Sequence, residues 1–199
     1  MGKWLEWLSA KTTPETVAQS WRHQAKTVAE TLKAGGALPE IPVFGPVLYG
    51  GERAFFDSPA TYARKYGGDG SYTTTNVVAL GNPSFIVGSM AASGLINGQR
   101  KARARREATP RWRDEQRVRL VTTSHRLLVH GPRQQWLTFD YAAITEFEPV
   151  LSENMMRLHF ASAPPMGLLG PPVLASAVIV AAATNPEHWT HDPRLRPVL

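Results

Sequence analysis

Apolar and polar residues alternate with a period of two over several short runs between Arg117 and Ala161, and this pattern limits the chain to few folds. Turn residues separate the runs, which lie roughly ten residues apart. Such spacing is typical of an antiparallel sheet with one buried face. Further strands are expected over 127–129 and 144–150. The positions assigned to the buried face are Val118, Leu120, Thr122, Leu137, Phe139, Tyr141, Met156, Leu158 and Phe160.

A segment that is apolar on every side follows these runs, from Val173 to Ala183. At about 11 residues it is too short to cross a bilayer, which needs roughly 20. A helix without a polar face is a buried one. The sequence therefore predicts a helix that plugs an open end or face of the sheet and stops at Asn185.

The N-terminal region, up to Gly35-Gly36, favours a helix with an apolar stripe at spacings of three or four. Thr12 and Glu15 have capping-box spacing, and Pro14 suits the first turn. We expect this helix to pack on the rest of the domain, with a partner-binding or membrane-surface helix as the alternative. The stripe consists of Val17, Trp21, Ala25, Val28 and Leu32.

The next region, from residue 37 to residue 83, has the character of strands and turns. One or two short strands are expected around the Gly50-Gly51 turn within 48–56, and another over Tyr72–Leu80. Glycines at 67, 68 and 70 predict a turn.

Residues 84–97 form a charge-free apolar run of about 14 residues, again short of a membrane span. A buried or interfacial helix is one interpretation, and a shallow membrane segment is the other. The candidate membrane or partner contacts are Phe85, Ile86, Val87, Leu95 and Ile96.

Basic residues are concentrated directly after this run. Residues 100–119 hold nine basic and three acidic side chains, which accounts for the whole net charge of +6. A helix that is apolar first and basic afterwards, over 84–113, predicts an anchor for anionic lipid, although a solvated helix end is the alternative. The candidate residues for binding anionic lipid or another polyanion are Arg100, Lys101, Arg103, Arg105, Arg106, Arg111 and Arg113.

Two short motifs carry a resemblance to a known family. Thr122, Arg126, Leu127 and Ile144 occupy the positions of a "Thr-x-x-Arg-Leu" turn and the strand entry after it, and Gly51-Glu52 matches a "Gly-Glu" before the first strand. The chain resembles bacterial PH-like or GRAM-like domains over 112–185 and, weakly, over 48–56. The surroundings of 112–113 and 170–171 are similar to those in uncharacterised actinobacterial proteins.

The resemblance implies an α+β fold: a small antiparallel PH-like sheet or barrel capped by the C-terminal apolar helix. It divides the chain into an N-terminal helical region (1–36), a PH-like domain with a helical insertion (37–185, insertion 84–113) and a C-terminal tail (186–199). Domains of this kind bind phosphoinositides or proteins.

The sequence lacks the motifs that several kinds of chemistry require. The sequence has no cysteine, Walker motif, nucleophile elbow or dinucleotide fingerprint, so we expect neither an enzyme nor a cofactor. His188 and His191 have ligand spacing but lie in a proline-rich tail that we expect to be solvated, so no metal is predicted. Charges interrupt the N-terminal apolar residues, which argues against a secretory signal. A cytoplasmic location, at the inner face of the membrane, is expected.

Three functions remain open at this point. The leading one is a non-enzymatic module that binds an anionic membrane surface or a protein partner. The second is nucleic-acid binding by the same arginines, with Trp112 as the only interleaved aromatic residue. The third is a structural subunit of a homo-oligomer held together by helices over 14–34 and 84–98.

Overall fold

A computed structural model describes residues 14–67, 109–132 and 135–199. In this part of the chain seven strands form one antiparallel sheet with the order β4-β3-β2-β1-β7-β6-β5. The predicted α+β arrangement is confirmed, but the sheet is open, because β4 and β5 lie at opposite edges. The strands are β1 (Ala54–Tyr66), β2 (Arg111–Thr123), β3 (Arg126–His130), β4 (Trp136–Asp140), β5 (Ile144–Val150), β6 (Met155–Phe160) and β7 (Ala163–Leu169).

The inner face of the sheet carries the core, as the alternation predicts. Val118, Leu120, Phe139 and Leu158 are buried on it. The sheet curls over this face, since the ring of Phe139 on β4 lies 5.7 Å from that of Phe160 on β6. Two halves of an open sheet therefore face each other across one core.

Helix α2 (Val173–Thr184) fills the space inside the curl. Every residue from Val173 to Ala181 is buried, which confirms the prediction of a helix without a solvent face. Its one polar side chain in this stretch, Ser176, hydrogen-bonds Thr122 of β2 through hydroxyl groups 2.7 Å apart. The buried hydroxyls therefore satisfy each other.

Helix α1 (Pro14–Lys33) packs on α2, and Ala25, Val28 and Ala29 are buried there. Ala25 and Val28 of the predicted stripe thus belong to the core, and Leu32 packs against it. The helix ends as predicted: Gly35 has φ +69°, and the amides of Gly35 and Gly36 donate to the carbonyls of Leu32 and Thr31. This is a Schellman arrangement, in which glycine takes the left-handed position.

The prediction of a solvated C-terminal tail was wrong in part, because the tail packs on the core through three residues while most of its other side chains are exposed. Short 3-10 turns over Trp189–His191 and Pro193–Val198 bury Trp189, Leu195 and Val198. Leu195 and Val198 are three residues apart and share one side of a 3-10 turn. They belong to the same hydrophobic cluster as α1, α2 and the inner face. The proposed division into three domains stays a prediction.

Two strand predictions need correction. β1 is a single strand of 13 residues that starts after the Gly50-Gly51 turn and continues well beyond Phe56. Its Pro59 lies where β7 does not pair with β1, since that pairing covers only Thr61 to Arg64. A proline is tolerated where a strand is bonded on one side only.

The predicted start of β2, at Arg117, was too late. The helix predicted over 84–113 was wrong at its C-terminal end. Arg111, Trp112 and Arg113 belong to β2, which begins six residues before Arg117. The period of two fails there because Asp114, with φ +55°, forms a bulge between the Tyr62–Gln116 and Arg64–Arg113 pairs.

Several other predictions lie outside the described residues. They are the capping residue Thr12, the strand over Tyr72–Leu80, the apolar run 84–97 with its five contact candidates, and Arg100 to Arg106. Among the helices that are described, none is both long and apolar enough to span a bilayer.

Candidate functional site

The paired ends of β1 and β2 bring four basic side chains together. Tyr66 lies opposite Arg111, Lys65 opposite Trp112, and Arg64 opposite Arg113. We call these six residues, 64–66 and 111–113, the basic hairpin end. Arg111 and Arg113 were predicted site residues. Arg64 and Lys65 were missed, because they precede the basic block by more than thirty positions and only strand pairing places them beside it.

Cross-strand partners point to the same face of a sheet, so the basic hairpin end has two different faces. Arg64, Tyr66, Arg111 and Arg113 share one face, and the Arg113 guanidinium lies 5.5 Å from the Tyr66 ring centre. Of the three arginines on this face, only Arg111 is exposed, and the others are half-buried. Favourable cation–π contact thus holds part of the cluster in place.

Lys65 and Trp112 share the other face. Trp112 packs on β7, where a Cβ added to Gly167 would come within 3.0 Å of the indole ring. The close approach requires glycine and leaves Trp112 half-buried. Lys65 is exposed, so each face of the basic hairpin end presents one exposed cation, Lys65 or Arg111.

Acidic groups border the cluster at the bulge. The Tyr66 hydroxyl donates a hydrogen bond of 2.7 Å to the Asp114 carboxylate, and this bond raises the pKa of Tyr66. Beside it lies a cavity of about 350 Å³ lined by Arg64, Asp114 and Glu115, among others. One arginine against two carboxylates does not favour an anion inside this cavity. The exposed cations outside it are the better anion contacts.

A buried ion pair lies towards the opposite end of β2. Arg126 Nε and Nη2 donate to the two oxygens of Glu52, both at 2.9 Å. Glu52 and Arg126 are only 6% and 5% exposed. The remaining lone pairs of Glu52 accept from the Thr123 hydroxyl at 2.6 Å and the Tyr49 amide at 2.7 Å. Both carboxylate oxygens of Glu52 therefore accept two hydrogen bonds each, as a buried charge requires.

This pair joins the two motifs behind the family resemblance, Gly51-Glu52 and Arg126-Leu127. The threonine at the motif spacing is Thr123, not the predicted Thr122, which instead bonds Ser176 of α2. Burial on its own raises the pKa of Glu52, but the hydrogen bonds from Arg126, Thr123 and Tyr49 outweigh it and hold that pKa below its usual value. The carboxylate is thus an ionised structural group.

The other ion pairs that involve histidines or carboxylates are isolated pairs within the described residues. Glu146 lies 3.7 Å from His159, and Glu148 bonds Arg157 at 2.8 Å across β5 and β6. His188 lies beside Glu187 on the surface. Within the three described ranges, no group of three or more His, Asp or Glu residues is placed to hold a metal ion.

Comparison with known proteins adds no family assignment. No protein-family model matches this sequence, and no curated protein matches it either.

Proposed function

We propose that this chain is a non-enzymatic PH-like binding module that meets an anionic membrane surface. The contact would be made by the basic hairpin end together with the apolar and basic segment between its strands. The observation that carries this proposal is the β1–β2 register, which places Arg64 opposite Arg113 and Lys65 opposite Trp112, next to Arg111. It extends the basic block onto a rigid strand pair at the point where that segment leaves and rejoins the sheet.

The fold supports the PH-like part of the proposal. An antiparallel sheet curls around one core, and helix α2, buried from Val173 to Ala181, fills it, as the resemblance implies. The residues of the two short motifs also meet in a single ion pair although 74 positions separate them. Motifs that match a family by chance have no reason to be in contact.

The charge distribution supports the choice of an anionic lipid surface. Clustered Lys and Arg are attracted to anionic lipid by about 1 kcal/mol each near the surface. Five basic residues between 100 and 106 adjoin Arg111 and Arg113 in sequence, and strand pairing adds Arg64 and Lys65. Single-stranded nucleic acid is a poorer fit, because Trp112, which base stacking would use, is packed on Gly167.

Flotation with lipid vesicles tests the proposal. The variant Lys65→Glu/Arg111→Glu reverses the two exposed cations of the site. The control Arg22→Glu/Lys26→Glu makes the same charge change on exposed positions of α1. We expect wild type and control to float with phosphatidylserine vesicles, and the site variant to bind at least ~30-fold more weakly, as the loss of about 2 kcal/mol implies.

Two results would contradict the proposal. One is the failure of wild type to float with anionic vesicles. The other is an equal loss in the site variant and the control, which would mean that total charge, not this site, decides binding. A gel shift of single-stranded DNA that the site variant abolishes, in a protein that ignores vesicles, would favour nucleic acid instead.

A further inference from the structure

A proline-rich segment lies across the outer face of the sheet ahead of β1, and we call residues 41–51 the arm. The Ile41 amide donates to the Ala54 carbonyl at 2.9 Å. The inward side chains of the arm, Ile41, Val43 and Leu48, pack on a small cluster with Val121 and Leu128 at its centre. The arm therefore has a buried side that fixes it to β1, β2 and β3.

Two arginines and a carboxylate hold the backbone of the arm at its exposed residues. Arg119 donates to the Phe44 carbonyl at 2.9 Å, and Arg126 donates to the Val47 carbonyl at 2.8 Å. The Tyr49 amide donates to Glu52 at 2.7 Å. Arg119 is itself held by two hydrogen bonds to Asp57. The arm is thus a braced element of the fold.

The outward side of the arm is apolar. Phe44 is 79% exposed, Val47 is 87% exposed and Tyr49 is 51% exposed, and these are the exposed large hydrophobic residues of the described chain. No charged residue occurs from 41 to 51. Isolated apolar residues on a surface need no explanation, but three within six positions of a braced, charge-free segment indicate an interaction surface.

Part of the backbone of the arm is already hydrogen-bonded. Each unsatisfied N–H or C=O group that enters the hydrocarbon of a bilayer costs several kcal/mol. Pro42 and Pro46 have no N–H, and the carbonyls of Phe44 and Val47 already accept from arginines. The Tyr49 amide and carbonyl are bonded to Glu52 as well. These bonds lower the cost of bringing the arm to the bilayer interface, where water still reaches its other amides and carbonyls.

Basic side chains on the same outer face favour an anionic surface as the occupant. Strand register places Arg119, then exposed Arg117, then Lys65 along this face. Arg119 lies beside the arm and is paired with Asp57, so Arg117 and Lys65 are the cations that remain for an anionic surface. The distance from Arg119 to Trp112, the partner of Lys65, is roughly 20 Å at about 3.3 Å per residue. The arm and Lys65 of the basic hairpin end thus lie on one face with Arg117 between them.

We propose that the arm inserts Phe44 and Val47 into the interface of an anionic bilayer, with Tyr49 at headgroup level, while the basic hairpin end contacts the headgroups. Tyrosine prefers this level because its ring is apolar and its hydroxyl is polar. The inference rests on the proposed function and deepens it by naming a second, apolar contact.

Single-site fluorescence labelling tests insertion directly, since the chain has no cysteine to remove. Val47→Cys, labelled with the dye NBD, should brighten and shift to the blue with phosphatidylserine vesicles, and nitroxide-bearing lipids should quench it. The matched control is Glu187→Cys, an exposed position just after α2, on the opposite side of the sheet from the arm. Its dye should not respond.

The outcomes separate the two proposals. Vesicle flotation of the labelled protein without a change at position 47 overturns insertion and leaves the proposed function standing. Absence of flotation overturns both. A dye response that needs no lipid and grows with protein concentration means that a second copy covers the arm, which also overturns insertion.

Phe44→Ser/Val47→Ser should weaken vesicle binding by roughly tenfold or more, given the apolar surface removed, without lowering thermal stability.

Discussion

Glu52 and Arg126 are 74 positions apart in the sequence, are both buried and share two hydrogen bonds of 2.9 Å. The ring of Tyr49 stacks 3.6 Å from the guanidinium carbon, and the Tyr141 hydroxyl bonds the Thr123 carbonyl next to the pair. The ion pair and these two contacts therefore connect the arm and the β2–β3 turn with Tyr141, the first residue after β4.

Removing one partner of this pair should be costly. Arg126→Leu leaves the Glu52 carboxylate buried without its main partner, so we expect a loss of about 3–5 kcal/mol in the free energy of unfolding. Denaturant titration measures it. The control Glu148→Gln breaks a partly exposed pair with Arg157 and should cost less than about 1 kcal/mol. A loss of similar size in both variants would contradict the structural role of the buried pair.

The same pair predicts how stability depends on pH. The pKa of Glu52 is lower in the folded state than its unfolded value of about 4.3. The folded state thus favours the ionised form, so this stabilisation is complete above the unfolded pKa and is lost as the pH falls through the folded pKa. Thermal melts below pH 4.5 should show a steep loss of stability in wild type.

Glu52→Gln supplies the comparison for that experiment. It should be less stable than wild type at pH 7, and its stability should fall less steeply in acid, because one depressed carboxylate is missing. Asp192, whose pKa is lowered by hydrogen bonds from Arg194, remains in both proteins and keeps some acid dependence. Parallel curves for the two proteins would rule out the Glu52 contribution.

The contact between α2 and the sheet can be tested through the buried hydroxyl pair of Thr122 and Ser176. Thr122→Val leaves the Ser176 hydroxyl without a partner in the core, so we expect a loss of about 1–3 kcal/mol. Thr122→Val/Ser176→Ala removes both hydroxyls and should recover most of that loss. If the two changes were simply additive, the 2.7 Å contact would not contribute to stability.

The packing of Trp112 makes Gly167 intolerant of a side chain. Gly167→Ala places a methyl group 3.0, 3.1 and 3.5 Å from three indole carbons of Trp112, which is overpacked, and should cost about 1–3 kcal/mol by calorimetry. Adding Trp112→Ala to Gly167→Ala should relieve the clash, so that Gly167→Ala costs less in that background than in wild type.

The sequence predicts those parts of the fold whose signal is local. Each of these signals lies within a short stretch of sequence: the alternation over β2 to β6, the uniformly apolar α2, and Gly35, which ends α1. Strand β7 was not predicted, because Pro164, Pro165 and Gly167 suggest a loop. Its hydrogen bonds to the neighbouring strands make it a strand. Tertiary pairing overrides local preference there.

The candidate site was only partly predictable for the same reason. Arg111 and Arg113 were visible in the basic block, but Arg64 and Lys65 join them only through β1–β2 register. The arm was not predicted. The exposure of Phe44 and Val47 depends on the hydrogen bonds from Arg119 and Arg126 to their carbonyls, and no local sequence pattern indicates these bonds. Residues 84–106, with the remaining candidates, stay predictions.

Equilibrium binding of the wild-type chain to vesicles of increasing phosphatidylserine content tests the central claim most directly. Binding should be absent on neutral phosphatidylcholine and should rise steeply with the anionic fraction. It should weaken as salt shortens the screening length from about 30 Å at 0.01 M to about 10 Å at 0.1 M. Binding that is equal on neutral and anionic vesicles, or absent from both at low salt, would contradict the account.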